Sequence, residues 1–225
     1  MQDPLTNTSI FIICFERAGG VYFLTHAHTD HMRGLHHGWR YGKLYCSKVS
    51  ADILLNRGVV RASLLHARDL EQPFEVVDPK NPRVAVTATF ADANHCPGSA
   101  MVVLEWPSGS AVVNTGDFRY YDALWDSPTL RRIVDGQSCA RLHYDASWAH
   151  GAFSQLPSKC DSIGVLLDLI ERHASERVIM HSHGLGDEES FASIANHFPG
   201  QKLLFADERR LAELKLCDFV FCRYF

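Results

Sequence analysis

Thr25-His26-Ala27-His28-Thr29-Asp30-His31 sets four potential metal ligands within six residues. Imidazole and carboxylate are the side chains that hold zinc in catalytic sites. The preceding run, Val21-Tyr22-Phe23-Leu24-Thr25, is β-branched and aromatic and reads as a short buried strand. At the end of a strand, His26 and His28 point to one side, and a turn can bring Asp30 and His31 round to face them. A polar surface turn is the bland alternative in a chain with 13 histidines. Ligand types at this spacing, directly after an apolar strand, favour a metal loop.

A length of 225 residues allows one large domain or two small ones with a substantial core. With 46% hydrophobic and 21% charged residues, the composition is that of a globular protein rather than a disordered one. No apolar run approaches the ~20 residues of a membrane span, so no membrane partner is expected. The opening Met1-Gln2-Asp3-Pro4 lacks the basic and apolar regions of a signal peptide, and secretion is not expected. No Lys/Arg cluster resembles a nuclear signal. Seven cysteines, an odd number without a Cys-x-x-Cys pair, argue against a disulfide framework or zinc ribbon and suit a reduced compartment. Most are expected to be small buried hydrophobes. A net charge of -4 gives no general attraction to nucleic acid, so phosphate binding would need a local site. Bound cations would dominate the field of such a cleft.

Strand-like runs occur at Ser9–Phe15, Val21–Thr25, Val84–Phe90, Met101–Trp106, Ala111–Asn114 and Leu142–Tyr144, with a hairpin turn at Pro107-Ser108-Gly109. Helical periodicity covers Val49–Arg57, capped by Ser47 and closed at Gly58. After about residue 150 the pattern alternates: a helix over Ile163–Glu171, a strand at Val178–Met180, a helix at Glu188–His197, a strand at Lys202–Phe205 and a helix at Glu208–Leu216. That alternation predicts a parallel sheet with covering helices. The boundary is expected near residues 146–157.

One loop cannot close a two-metal site, so further ligands must come from elsewhere. Asp92-Ala93-Asn94-His95-Cys96-Pro97-Gly98 follows a predicted strand and offers His95, which alone is as readily a satisfied loop histidine. Asn114-Thr115-Gly116-Asp117-Phe118-Arg119-Tyr120 also ends a strand, and Gly116 permits close backbone approach. Asp117 by itself reads as a turn residue. Asp145, after Arg141-Leu142-His143-Tyr144, reads equally as a turn or a helix cap.

The order His-x-His-x-Asp-His, His, Asp at strand ends resembles the metallo-β-lactamase superfamily. Leu44-Tyr45-Cys46-Ser47, the Asp92–Gly98 stretch, Thr115–Tyr120 and Leu156-Pro157-Ser158-Lys159 look like the DNA cross-link repair nucleases of the β-CASP group. Ala91–Met101 with Ser99, Gly184–Glu188 and Asp207–Asp218 are most similar to its 5′ exonuclease branch. The resemblance implies an α/β fold, the N-terminal part of an αββα metallo-β-lactamase sandwich at residues 1–147. A partial β-CASP α/β insertion would follow at 148–225. It implies that His26, His28 and His95 hold one zinc ion, that Asp117 bridges to a second, and that Asp30 and His31 face the second. Asp30 would orient the attacking water, and Asp145 would support the ligands. Asp30, Asp117 and Asp145 are thus the implied catalytic residues. Ser158 and Lys159 match half of a 5′-phosphate pocket, although each also reads as a helix cap and a solvated lysine.

The sequence departs from the family twice. No histidine after the second unit supplies the late second-metal ligand, so the closing half of the sandwich is expected to be absent and the second site weakened. Asp187 stands where relatives carry a phosphate-binding lysine, which opposes a 5′-phosphate by charge. The function implied is a metal-dependent DNA nuclease, a 5′→3′ exonuclease acting in interstrand cross-link repair or at telomere ends. DNA that is single-stranded or has 5′ ends would be its substrate, telomere or repair proteins its partners, and the nucleus its location. An RNA-processing β-CASP nuclease, another metallo-β-lactamase hydrolase, and a truncated non-catalytic product that binds DNA or protein are the alternatives.

Overall fold

The computed structural model describes residues 10–182, 184–200 and 208–217. Two compact units divide the chain, Met1–Asp145 and Ala146–Phe225. In the first, β1 (Ile10–Ile12), β2 (Gly20–Phe23), β3 (Gly42–Ser47) and β4 (Leu65–Arg68) form a parallel sheet in that order. The second sheet has the order β5 (Phe74–Val77), β6 (Ala85–Asp92), β7 (Ala100–Glu105), β8 (Ala111–Asn114) and β9 (Cys139–His143). Its first three pairings are antiparallel, and β8 and β9 run parallel.

Side-chain alternation decides what each strand faces. Val21, Phe23 and Tyr45 of the first sheet share one apolar cluster with Val76, Val86, Ala88, Phe90, Val102 and Leu104 of the second. The sheets therefore stack face to face, and each large side chain buried there stabilises the fold by roughly 1.5–3 kcal/mol. On the opposite face of β2, Tyr22 meets Trp39 edge-on at 4.9 Å. Because both of its faces are covered, β2 is an unbroken buried run.

A helix covers each outer face. Helix α1 (Lys48–Asn56) packs on β3 and β4 and buries Ser50, Ala51, Ile53 and Leu54. Ser47 caps it by accepting from the Ser50 amide at 3.2 Å. Gly58, at φ +63°, ends it; bonds run from Gly58 N to Leu55 O and from Val59 N to Leu54 O, a Schellman stop. Helix α2 (Pro128–Asp135) packs Leu130 and Ile133 against Met101, Val103, Ala111 and Val113. The layers are helix, sheet, sheet, helix, the αββα arrangement that the resemblance implies.

The hairpin at Pro107-Ser108-Gly109 joins β7 to β8, with Trp106 N bonded to Ser110 O. The run Ser9–Phe15 is shorter as a strand than expected, because Ile13 adopts φ +54° directly after β1; Ser9 lies outside the described residues. Strand β9 begins at Cys139, three residues before the predicted start.

The second unit contains α3 (Lys159–Arg172), α4 (Glu188–His197) and α5 (Glu208–Leu216). Ser158 and Asp161 cap α3 reciprocally. Buried Glu188 accepts from Gly186 N at 2.6 Å and from Arg210 at 2.7 Å. The strand expected at Val178–Met180 does not form: these residues are exposed and irregular, with no paired strand among the described residues. A three-residue apolar run has too little cross-strand contact to hold alone. Its expected neighbour, Lys202–Phe205, lies outside the described residues.

Candidate metal centre

Strand polarity gathers the site. Since β6 and β8 both run antiparallel to β7, and β9 runs parallel to β8, the carboxyl ends of β6, β8 and β9 share one edge of the second sheet. The end of β2 joins them through a 2.8 Å bond from Ala100 N, at the start of β7, to Thr25 O. Four sequence stretches thereby meet at one rim.

His26, His28, His95 and Asp117 each offer a ligand atom there, and these atoms all lie within 4.8 Å of one another. His95 Nε2 and His28 Nδ1 are 3.1 Å apart. Asp117 Oδ2 lies 3.6 Å from His95 Nε2 and 3.8 Å from His26 Nε2. Its other oxygen is 3.1 Å from His31 Nε2. Asp30 stands at the rim with its side chain 77% exposed, 3.6 Å from His31. The structure thus brings five of the six expected ligands into one knot and holds Asp30 at its margin.

The chemistry of this donor set fits a metal. His26 is fully buried, yet its Nε2 has no hydrogen-bond partner among the described residues. A buried polar atom left unpaired is costly unless something absent from the protein meets it. Burial, then the adjacent His31, His28 and His95, push the His26 pKa down to about 2. Burial and then His28 also lower that of His95, against the pull of Asp117. Neutral imidazoles are the form that ligates.

The supporting contacts were not read from sequence. Thr25 Oγ1 shares a 3.1 Å hydrogen bond with His26 Nδ1, which leaves Nε2 to face the cluster. Ser99 Oγ accepts from the amides of His95 and Cys96. Asp92 accepts from Asn94 N with one oxygen and from the Tyr121 hydroxyl with the other. Burial, then that carboxylate, push the Tyr121 pKa up to about 12, so it remains a donor. Asn94 tolerates φ +50° as few other residues would. An Asp two residues before an Asn after a strand is a turn signal that could have marked this pair.

Asp145 follows β9, and its amide donates to Thr115 Oγ1 at 3.0 Å, which ties it to the stretch that carries Asp117. Its charge reaches His95 and, behind that of Asp117, offsets a small part of the lowering that burial and His28 impose there. Ser158 and Lys159 belong to the second unit. There the Ser158 hydroxyl bonds Asp161 at 2.6 Å and the Lys159 ammonium pairs with Glu189 at 2.8 Å.

No protein-family model matches the chain. Among curated proteins it is 36% identical over 199 residues to the 5′ exonuclease Apollo of Gallus gallus, covering 87% of this chain and 40% of that protein. It is 26% identical over 196 residues to the DNA cross-link repair protein SNM1 of Arabidopsis thaliana, covering 85% and 38%. Against the human DNA cross-link repair 1A protein it is 27% identical over 192 residues, covering 84% and 17%. The chain therefore spans less than half the length of these relatives. Agreement over most of this chain, together with a histidine–aspartate centre at the rim of an αββα sandwich, makes the chain similar over this stretch to the 5′ exonuclease Apollo and the DNA cross-link repair protein SNM1.

Proposed function

We propose that this chain carries the metal-dependent centre of a DNA nuclease that hydrolyses phosphodiester bonds. The convergence of His26, His28, His95 and Asp117 is the observation that carries this reading. The substrate is DNA, single-stranded or with a 5′ end, and the direction of digestion is 5′→3′. The setting is interstrand cross-link repair or telomere-end processing in the nucleus, with repair or telomere proteins as partners. The names of the relatives support the nuclease and repair parts of this reading.

Nitrogen and carboxylate donors suit zinc. When bound, a zinc ion lowers the pKa of water from about 16 to about 7 and offsets charge on a phosphoryl oxygen. His26, His28 and His95 hold it through neutral nitrogens, and Asp117 reaches toward both these and His31. Asp30 and His31 serve a second, weaker position. The exposed Asp30 carboxylate accepts a proton from a water and orients it. Asp145 holds the Asp117 stretch through Thr115 and keeps negative charge near His95. We read residues 1–147 as the metallo-β-lactamase core and 148–225 as part of a β-CASP unit. Ser158 and Lys159 donate to a terminal phosphate after exchanging Asp161 and Glu189 for it.

The test is digestion of 5′-phosphorylated single-stranded DNA by the zinc-loaded chain beside an Asp30→Ala/Asp117→Ala variant. Release of 5′ nucleotides by the first and loss of at least a hundredfold in the second is the expected result. Equal activity in both, or none in either, overturns the reading.

A further inference from the structure

We propose that Arg57 is a positioning residue for the metal loop, locking the peptide between His26 and His28 in its ligating form. Its Nη1 donates to the Ala27 carbonyl at 2.6 Å, across 30 residues of sequence. Ala27 is fully buried and lies between the two histidines, so its peptide plane sets the angle between their side chains. A charged donor on a carbonyl forms one of the stronger hydrogen bonds available to a protein. It also restrains the loop without adding a ligand.

The sequence explains why an arginine reaches this point. Helix α1 starts at a cap that is itself tied to the His95 turn: Ser47 Oγ and Ser50 Oγ both donate to Gly98 O, at 2.6 and 2.9 Å. It stops at Gly58, whose left-handed backbone fixes Arg57 as the last residue before the chain turns. One rigid helix therefore touches the His95 turn with its first residues and the His26–His28 loop with its last. A helix running between the two groups of ligands sets their separation independently of the metal. Arg57 is the end of that brace.

This inference rests on the metal reading above, and a cobalt titration of the metal-free chain separates the two. Cobalt(II) absorbs visibly when bound by nitrogen and oxygen donors, so affinity and ligand geometry are read without activity. Arg57→Met keeps the aliphatic stem and removes the hydrogen bond; Arg57→Lys keeps a charged donor. We expect Arg57→Met to weaken cobalt binding by about 10–100-fold and alter the absorption bands. Arg57→Lys should recover at least a third of that loss on a logarithmic scale. Circular dichroism at the titration temperature checks that each variant is folded, and Arg57→Gln replaces Arg57→Met if the latter is not. A wild-type chain that binds no cobalt would overturn the metal reading itself. Wild-type binding with Arg57→Met within twofold of it would overturn only the role of Arg57, as would lysine performing no better than methionine.

Discussion

Gly116 packs directly against Thr25: a Cβ at position 116 would lie 2.7 Å from Thr25 Cβ and 2.8 Å from its Oγ1. The same Thr25 hydroxyl bonds His26 Nδ1, and Gly116 immediately precedes Asp117. The contact therefore sets the spacing between a buried histidine and the aspartate opposite it. Gly116 also has φ +55°, which disfavours any other residue. Gly116→Ala is expected to destabilise the metal-free chain by about 1–3 kcal/mol and to weaken metal binding. Adding Thr25→Ala should not restore either property, because the nearest atom is the Cβ that alanine retains. Urea denaturation and metal titration of the single and double variants check this; restoration by the second substitution would show that the hydroxyl or methyl group was the obstacle.

The clustered imidazoles give the metal-free protein a pH dependence of definite sign. In the folded chain the His26 pKa is about 2, against an ordinary value of 6.5, and that of His95 is also lowered. Between those values the unfolded chain binds more protons than the folded one. Stability is therefore full above pH 6.5 and is lost as pH falls from there toward 2. One such group supplies a slope on the order of 1 kcal/mol per pH unit. Urea midpoints at pH 7.5, 6.0 and 5.0 should fall in that order, and more gently in His26→Gln if it folds.

Metal removal should act in the same direction. A ligand that binds only the folded chain adds about 2.7 kcal/mol at a hundred times its dissociation constant. Chelation is thus expected to lower the melting temperature of the zinc-loaded chain by several degrees, with zinc restoring it and magnesium not. A melting temperature unmoved by chelator would count against metal binding at His26 Nε2.

The cysteines divide by exposure. Cys46 is fully buried on β3, and burial, then Asp52, push its thiol up to about 12. Cys139 and Cys160 are exposed, and no disulfide joins the described cysteines. Brief alkylation of the native chain should label Cys139 and Cys160 and spare Cys46, read by peptide mass. The expectation that most cysteines are buried hydrophobes suits Cys46 and Cys96 but not these two.

What the sequence reveals and what it hides follow from how locally each feature is encoded. His26, His28 and His31 are legible because one strand end carries them, whereas His95 and Asp117, each ambiguous alone in a turn-rich stretch after an apolar strand, are singled out by the resemblance. What gathers these stretches, the order β5-β6-β7-β8-β9 and the bond from Ala100 N to Thr25 O that joins the end of β2 to it, is a long-range property, and no single segment announces it. Strand β4, an edge strand reading Leu-His-Ala-Arg, has too little apolar pattern to stand out in the sequence. Helix α2 carries a start signal in its sequence, Ser127 followed by Pro128 at the first helical position. Arg57 does its work through a carbonyl 30 residues away, and Thr25 and Ser99 through polar contacts within their own turns; residue type alone does not disclose such contacts.

Asp30 and Asp117 differ in place, and that difference predicts different defects. Asp117 reaches three histidines with its two oxygens and belongs to the group within 4.8 Å. Asp30 meets His31 alone among the described histidines and keeps its side chain 77% exposed. Asp117→Asn exchanges a shared anionic ligand for a neutral one and should weaken binding of the first metal equivalent by tenfold or more. Asp30→Asn should change that equivalent by less than threefold, since its oxygen is not among the converging atoms. If Asp30 orients the attacking water, the same variant should still lose at least tenfold in DNA hydrolysis at saturating zinc. Metal content per chain and initial hydrolysis rates, measured together, check the pair. Equal loss of the first metal in both variants would place Asp30 among its ligands, with the loop closing further around the ion than the protein alone has it.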